Sequence, residues 1–453
     1  MNQNKEKKQY TELKTTSDEV TPTSLLKFFL SLALISFLYS CSPVSFLKKE
    51  ISLTEKELKD HTGFILYDPV SKKTIYEHQS RSYFTPASNT KIFTFYTSLQ
   101  ILKDSVPALR YIDRNDSLIV WGTGDASFLY PAVYQNGKVH SFLSQSSKKL
   151  FFSGNNFNTT AFGPGWSWDD YNDYYSSERS SFPVYGNLIS VHTTLDEHLT
   201  FSPVYFSNQT ITSSELKPAM EIIRDEHSNQ LTVYRGELKT EKKFNIPFQY
   251  SSDLVVELLA DTLKKTVEEV TIPVPKNAST LYSVPVDSLY KVMMQESDNF
   301  IAEQLLLACA GVLSDTLKPE IAINYAKKNF LFDLPDEPIW VDGSGLSRYN
   351  LFTPRSIVRL WEKIYTLMPQ DRLFKLLAVG GQSGTIKNLY KAEEPYIFGK
   401  TGSLSNNHCL SGYLITKKGK TLIFSFMSNN FVTPTSEVRT RMEKILLEVR
   451  NRY

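Results

Sequence analysis

The sequence predicts an α+β protein in which a strand-rich region interrupts the main domain. Two β-hairpin patterns, at 63–78 and 410–427, lie near opposite ends of the chain, each with two β-prone runs around a turn. Two segments, 91–102 and 300–308, are apolar on all sides, which is typical of buried helices. The main domain is therefore predicted to combine strands and helices from both ends of the chain.

The middle of the chain predicts short strands and turns, with strand patterns at 117–121, 187–192 and 231–234. An amphipathic helical pattern then returns at 251–266. An insertion of this length is tolerable because the cost of loop closure grows slowly with length. The predicted segments are a leader and tether at 1–49, the first part of the main domain at 50–105, the insertion at 106–249 and the second part at 250–453.

The composition excludes several classes of function. The chain has 453 residues, of which 41% are hydrophobic and 22% charged, as in ordinary globular proteins. The net charge of +2, from 50 basic and 48 acidic residues, argues against nucleic acid as a partner. The histidines form no metal-binding cluster, so we predict no metal and no cofactor. Cys309 and Cys409 are predicted to be separate buried thiols, with a disulfide between them as the alternative.

The N-terminal part of the chain predicts export. The apolar run at 28–39 follows Lys27 and is shorter than the roughly 20 residues of a transmembrane helix, which suits a signal peptide. Cys41 ends a string similar to a lipoprotein cleavage box, although Tyr39 departs from the usual small residue. We expect an exported, periplasmic protein held to the membrane by a lipid on Cys41. An uncleaved anchor and a soluble periplasmic product are the alternatives.

Three short strings carry the chemistry: Ser-Asn-Thr-Lys at 88–91, Ser-Asp-Asn at 297–299 and Lys-Thr-Gly at 400–402. In this order they form the acyl-transfer signature of penicillin-binding proteins and serine β-lactamases. The first pattern alone is weak, since Ser-x-x-Lys also begins at Ser24, Ser45, Ser146, Ser214 and Ser288. The joint match and its order make the signal specific.

The spacing of the first string suits an activated serine. Ser88 and Lys91 share one face at the start of a helix. A serine hydroxyl needs a neighbouring base, and a lysine amine serves only if burial or nearby cations lower its pKa. Lys400 is predicted to be that cation.

The other strings supply the remaining groups. Ser297 is predicted to relay a proton, and Asn299 to orient Lys91. An edge strand at 400–403 would line the cleft, with Gly402 leaving room for substrate backbone. The backbone N–H groups of Ser88 and Ser403 are the predicted oxyanion donors. Read singly, Ser88 could instead be a helix cap, Lys91 a solvated charge and Lys400 a turn residue.

The chain resembles the D-alanyl-D-alanine carboxypeptidase/endopeptidase family, the low-molecular-mass class C penicillin-binding proteins. Beyond the three strings, similar stretches stand at 122–125, 163–170, 342–348 and 384–385. The likeness runs from about residue 60 to the C-terminus. At 126 an alanine replaces the family's proline.

The resemblance implies a penicillin-binding, serine β-lactamase-like transpeptidase fold, in which helices cover both sides of an antiparallel sheet. It also implies cleavage of D-Ala-D-Ala in peptidoglycan stem peptides, endopeptidase action on cross-links, and acylation by β-lactams. Lys400, Thr401 and Ser403 would bind the terminal carboxylate. Asp125 and Arg348 would bind the amine and carboxylate of the third residue, although a structural ion pair is the alternative for Arg348.

Three other functions remain open from the sequence. A serine β-lactamase would use the same strings and hydrolyse β-lactams quickly. A cell-wall scaffold without catalysis would keep the fold alone. A plain esterase is the third.

Overall fold

The computed structural model describes residues 43–453. The predicted signal segment and Cys41 lie outside the described residues. Across 43–453, no helix combines the length and apolar character needed to cross a membrane.

The main domain is built on a six-stranded sheet that both ends of the chain form together. Its order is β14-β15-β16-β17-β1-β2, and β1 pairs antiparallel with β17, with Gly63 opposite Met427. The hairpins β1–β2 and β16–β17 confirm both sequence predictions. The strands are β1 (His61–Asp68), β2 (Lys73–His78), β14 (Ala378–Val379), β15 (Ile397–Leu404), β16 (Asn407–Ile415) and β17 (Thr421–Asn429).

Helices cover both faces of this sheet, because its buried strands are apolar on both sides. Along β17, Phe424 faces a cluster with α1 and α10, while Ile423 faces one with α2, α6 and α8. The predicted α+β sandwich is confirmed. The helices are α1 (Pro43–Leu58), α2 (Lys91–Ile101), α5 (Asp287–Gln295), α6 (Asn299–Ser314), α7 (Pro319–Asn329), α8 (Pro354–Leu367), α9 (Gln370–Leu376) and α10 (Thr435–Arg452).

The segment predicted to be a tether is in fact the helix α1. Leu47, Ile51 and Leu58 form a buried stripe at helical spacing, which packs against α10 and the sheet. Arg441 and Lys444 of α10 pair with glutamates of α1. The sequence prediction of a tether was wrong here because the polar residues between these apolar positions hide the stripe.

The inserted region contains three smaller sheets. Their orders are β12-β5-β4-β3-β13, β8-β10-β9 and β11-β6-β7. The elements are β3 (Ser105–Arg114), β4 (Ser117–Gly122), α3 (Lys138–Gln145), β5 (Lys149–Ser153), β6 (Leu188–Thr193), β7 (Leu199–Ser202), β8 (Thr210–Ala219), β9 (Glu221–Arg224), β10 (Leu231–Glu237), β11 (Lys242–Pro247), α4 (Ser252–Leu263), β12 (Val267–Glu269) and β13 (Ser279–Pro285).

The five-stranded sheet extends beyond the boundary predicted at residue 249. β12 pairs with β5, and β13 pairs with β3. Helix α4 is capped by Ser251, whose side chain accepts from Leu254 N at 3.1 Å, and it packs on the same sheet. The strand-rich region therefore closes with residues up to 285.

Both predicted thiols are confirmed as separate. Cys309 in α6 and Cys409 in β16 are free and buried. Among residues 43–453, no cluster of three histidine, cysteine or acidic side chains is placed to hold a metal ion.

Candidate active site

Ser88 lies on a short 3₁₀ turn, Ala87–Thr90, that runs directly into α2. Asn89 fixes this turn to the sheet: its Nδ2 donates to Lys400 O at 3.0 Å, and its Oδ1 accepts from Ser411 Oγ at 2.6 Å. Ala87 has a φ of +48°, an uncommon conformation for a non-glycine residue. The turn therefore presents Ser88 from a backbone that the sheet holds in place.

Lys91 lies beneath Ser88 and is completely buried. Its Nζ is 2.9 Å from Ser88 Oγ, 2.6 Å from Asn299 Oδ1 and 2.7 Å from Ser344 O. Burial lowers the pKa of Lys91 to about 8, and the negative charges nearby only partly oppose it. A substantial fraction of Lys91 is therefore neutral near physiological pH and available as a base.

The cause of this shift differs from the sequence prediction. Burial, rather than the charge of Lys400, lowers the pKa of Lys91. Lys400 is itself completely buried, and burial followed by the charge of Lys91 lowers its pKa well below the usual range. Desolvation acts on both lysines because they share a pocket floor from which water is excluded.

The second string surrounds the two lysines at the start of α6. Ser297 Oγ accepts from Lys400 Nζ at 2.7 Å, and Ser297 has a φ of +64°. Asp298 caps α6 by accepting from Ile301 N at 2.8 Å. Asn299 donates through Nδ2 to Tyr175 O at 2.9 Å, which turns its oxygen toward Lys91. Ser88–Lys91 and Ser297–Lys400 thus form two hydroxyl–amine pairs in one site.

Gly402 has a different role from the one predicted. A Cβ at this position would lie 2.5 Å from Pro86 O and 2.9 Å from Ser88 N. The close neighbour is the turn that carries Ser88, and Gly402 is not among the residues that line the cavity. The missing side chain therefore lets the nucleophile turn pack against β15, which corrects the prediction of a direct substrate contact.

The two predicted oxyanion donors lie at this junction. Ile397 O accepts from Gly380 N, which lies on the side of β15 opposite to β16. In a strand every second residue directs its backbone groups to the same side, so those that follow Ile397 at intervals of two also point away from β16. Ser403 is one of these residues. Because β14 pairs with β15 only at Phe398 and Gly399, the backbone N–H of Ser403 has no partner in β14. Because Ser88 N also faces β15, the geometry is compatible with both N–H groups serving as oxyanion donors.

Ser403 is also held by its side chain. Its Oγ is 2.7 Å from Nδ1 of the buried His408. Burial, aided by the charge of Arg439, lowers the pKa of His408 to about 3, so this histidine is neutral at physiological pH. His408 therefore positions Ser403 without adding a charge.

These groups open into a cavity of about 1380 Å³. Among the residues predicted from the sequence, its lining includes Ser88, Ser297, Asn299 and Ser403. Lys91 and Lys400 lie below its floor. Thr401 also lines it, and Thr401 Oγ1 is 2.7 Å from Thr385 Oγ1.

Arg348 lies in the cavity wall, as predicted for a binding residue. Its Nη2 donates to Ser405 O at 3.1 Å. With the amide of Asn407 oriented to satisfy its neighbours, Nη1 donates to Asn407 Oδ1 at 2.9 Å. Within residues 43–453 no carboxylate forms an ion pair with this guanidinium, so its positive charge is available to a ligand.

Asp125, like Gly402, was predicted to bind substrate but does not line the cavity. Its carboxylate is 4% exposed and accepts from Ser127 N, Ser127 Oγ and Ser283 Oγ. These bonds join two parts of the inserted region. The prediction that Asp125 binds substrate therefore needs correction, because its hydrogen-bonding capacity is already used inside the protein.

Several cavity residues were not singled out from the sequence. They lie outside the three strings, in loops, in short 3₁₀ turns and, for Arg439, in α10, and include Tyr130, Trp166, Asp170, Tyr174, Tyr175 and Arg439. Trp166 and Asp170 lie in the stretch whose family likeness was noticed without a role for its side chains. Asp170 accepts from Tyr175 OH at 3.0 Å. Its carboxylate is the acidic group that the stretch 163–170 contributes to the cavity lining.

A buried network supports the floor of the site. Glu303 accepts from Arg179 through Oε2 at 2.6 Å and from Ser344 N through Oε1 at 2.7 Å. Asp342 accepts from Gly345 N, Ser347 N and Trp166 Nε1. The two acids thereby fix the Ser344 carbonyl beside Lys91 and the loop that carries Arg348.

Comparisons with known proteins agree with this geometry. The sequence pattern of the D-Ala-D-Ala carboxypeptidase 3 (S13) family matches residues 48–450. The chain is 23% identical to D-alanyl-D-alanine carboxypeptidase DacB of Haemophilus influenzae, over 94% of this chain and 98% of that protein. It is 22% identical to penicillin-sensitive carboxypeptidase A of Dictyostelium discoideum, over 80% and 81% of the two chains.

A solved structure shares the fold. The crystal structure of penicillin binding protein 4 (dacB) from Haemophilus influenzae has a TM-score of 0.69 and 22% sequence identity. The alignment covers 88% of this chain and 98% of that one. The predicted transpeptidase-type fold is therefore confirmed.

Proposed function

The chain belongs to the D-Ala-D-Ala carboxypeptidase 3 (S13) family, and we propose that it cleaves peptidoglycan stem peptides through an acyl-enzyme on Ser88. It is a serine-type D-Ala-D-Ala carboxypeptidase, an exported penicillin-binding hydrolase that acts on peptidoglycan. The observation that carries the residue assignment is the 2.9 Å contact between Ser88 Oγ and the buried Lys91 Nζ at the base of an open cavity.

Acylation begins with neutral Lys91. Its Nζ takes the proton of Ser88 as Ser88 Oγ attacks the carbonyl carbon of the penultimate D-alanine. The negative charge moves to the carbonyl oxygen, where the N–H groups of Ser88 and Ser403 stabilise it. When the peptide bond breaks, the leaving nitrogen takes a proton from Ser297 Oγ.

Lys400 acts on the leaving-group side. Its Nζ, 2.7 Å from Ser297 Oγ, replaces the proton that Ser297 gives up. Before deacylation, the proton on Lys91 returns to Lys400 through solvent in the cavity, so that Lys91 is neutral and Lys400 protonated again. Water then attacks the acyl-enzyme, and Lys91 takes a proton from that water. Lys91 gives this proton to Ser88 Oγ as the acyl–oxygen bond breaks, and the product leaves as a carboxylate. The pair Ser88–Lys91 thus serves the nucleophile, and the pair Ser297–Lys400 serves the leaving group.

The terminal carboxylate of the substrate is placed near Thr401 and Ser403. Both residues line the cavity, with the Thr385 hydroxyl beside Thr401. Lys400 Nζ is occupied by Ser297 Oγ and Thr401 O and is completely buried. It therefore contributes to carboxylate binding through its charge and through Ser297, and not by direct contact.

Arg348 is proposed to bind the free carboxylate of the third stem-peptide residue. Arg348→Gln is expected to raise KM about tenfold for a pentapeptide with diaminopimelate at that position, since one charge-assisted hydrogen bond is lost. For the matching lysine pentapeptide, which lacks that carboxylate, KM should change little. Steady-state kinetics with both peptides measure the difference, and an equal rise for both would assign Arg348 a structural role.

One experiment separates the proposed function from its alternatives. The purified protein is incubated with fluorescent penicillin and, separately, with diacetyl-Lys-D-Ala-D-Ala. Persistent label together with released D-alanine supports the carboxypeptidase. Rapid loss of the label with turnover of nitrocefin would indicate a β-lactamase, and absence of label would indicate a scaffold. Labelling without D-alanine release, with hydrolysis of simple esters, would indicate an esterase.

A lipid anchor on Cys41 is a second part of the proposal, and it rests on the apolar run at 28–39 and the box that ends at this cysteine. It places the enzyme on the periplasmic side of a membrane. Cells that express the full chain are labelled with radioactive palmitate. Label on the wild type and none on Cys41→Ser supports the anchor, whereas equal label on both would reject it.

A further inference from the structure

The cavity continues beyond the catalytic groups onto the inserted region. Its far wall includes Ser190 of β6 and Lys243 and Asn245 of β11. At about 1380 Å³ it exceeds the roughly 300–1,000 Å³ that encloses an ordinary small ligand. A terminal D-Ala-D-Ala dipeptide therefore occupies only part of this space.

The far wall is the polar face of a small sheet. In the β11–β6 pair, Asn245 lies opposite Ser190, and Lys243 lies opposite His192. Residues that alternate with these, such as Ile189 and Ile246, face a buried core. The strands consequently direct hydrogen-bonding side chains toward the cavity, with Leu188 as the apolar exception, and bury the alternating apolar side chains.

These side chains retain unused binding capacity. Ser190 Oγ donates to Asn245 Oδ1 at 2.7 Å, which leaves the Asn245 amide nitrogen free to donate. Within residues 43–453, Lys243 makes no ion pair, while the neighbouring Glu241 lies 3.6 Å from His192 Nε2. The wall thus offers one cation and one amide donor to a ligand.

The cavity that this wall lines also reaches the group that protonates the leaving nitrogen. Ser297, which protonates the leaving nitrogen, follows directly after Glu296, and Glu296 lines the same cavity. The charges that line the cavity therefore include a positive one from Lys243 and a negative one from Glu296. A ligand with both free carboxylates and free amines complements it.

We propose that the face formed by Ser190, Lys243 and Asn245 is a subsite for the second peptide of a cross-linked substrate. In such a substrate the leaving group is a whole stem peptide rather than a single D-alanine. The proposal rests on the proposed function, because it assumes that Ser88 forms the acyl-enzyme. It assigns to the inserted region the recognition of the acceptor peptide.

The test compares two substrates on one active site. Lys243→Ala is assayed with a sugar-free cross-linked peptide dimer and with the corresponding monomeric pentapeptide. We expect kcat/KM for the dimer to fall roughly fivefold, a size typical of one partly exposed charged contact, and D-alanine release from the monomer to stay unchanged. Lys242→Ala is the matched control, since Lys242 lies over the Phe244 ring on the other face of β11.

The outcomes separate this proposal from the one on which it depends. If the wild type releases no D-alanine from the monomer, the proposed function fails. If the wild type cleaves the monomer but not the dimer, or if Lys243→Ala affects both equally, only the second-peptide subsite fails. If Lys243→Ala lowers kcat/KM only for cross-linked dimers that still carry their sugars, this wall binds the glycan, and the proposal of a peptide subsite is wrong.

Discussion

Ser88→Ala is expected to abolish covalent labelling by penicillin and to lower D-alanine release by at least about 10⁴-fold, as the loss of a serine nucleophile does in other hydrolases. In the described part of the chain, the Ser88 hydroxyl is the one hydroxyl that accepts a hydrogen bond from Lys91 Nζ. Labelling is measured on denaturing gels and D-alanine release by a coupled assay. The fold should be unaffected, because the Asn89 bonds that hold the turn do not involve the Ser88 side chain.

Ser146→Ala provides a matched control. Ser146 begins another Ser-x-x-Lys pattern, ending at Lys149, but it lies in the inserted region next to β5. This variant should label and turn over like the wild type. Labelled Ser88→Ala protein would exclude Ser88 as the nucleophile.

The second large effect concerns Lys91. Because its pKa is lowered to about 8, the neutral base becomes more abundant as the pH rises through that value. The rate of acylation by penicillin should therefore increase about tenfold for each pH unit between pH 6 and 7 and level off above about pH 8.5. Stopped-flow measurement of labelling against pH tests this, and a flat profile from pH 6 to 9 would contradict a lysine base.

Lys91→Arg separates the charge of this residue from its basicity. Guanidinium remains protonated throughout this pH range and cannot accept the serine proton. Acylation by this variant should fall by at least about 10³-fold and lose its rise with pH. Since the larger head group must also fit a buried site, the melting temperature is measured in parallel, and Lys91→Met supplies an uncharged comparison.

The sequence was informative about the site where chemistry fixed the spacing. Ser88 and Lys91 meet because a helical turn separates them, and Asn299 meets Lys91 because helix α6 begins at that residue. Gly402 was assigned correctly to a close approach, but the partner proved to be the backbone of the nucleophile turn. A sequence shows that space is needed and does not show which segment fills it.

Predictions that relied on sequence likeness alone were less reliable. Asp125 matched a family string, yet three hydrogen bonds from serines enclose its carboxylate. Asp170 lies at the cavity because the loop that precedes it folds over the floor, and Trp166 of that loop donates to Asp342. Such loop positions depend on distant contacts that local patterns do not report.

The fold prediction succeeded at strong local patterns and failed at weak ones. Both hairpins and the buried helices were predicted because their apolar residues are continuous. Helix α1 was missed because Leu47, Ile51 and Leu58 are separated by charged residues. The boundary at residue 249 was too early because β13 pairs with the distant β3, a choice set by tertiary packing.

The pairing of β1 with β17 determines at which point of its synthesis and folding the protein becomes active. Ser88 is synthesised before β15, β16 and β17, which complete the sheet that supports its turn, and α10 packs against α1 only after those strands have been made. Such distant pairing is slow to form, since a long stretch of chain must first be brought together. A ribosome-bound or partly translocated chain therefore holds its nucleophile without a formed cleft. The hydrolase therefore gains activity against the cell wall only after β17 and α10 have been synthesised and exported.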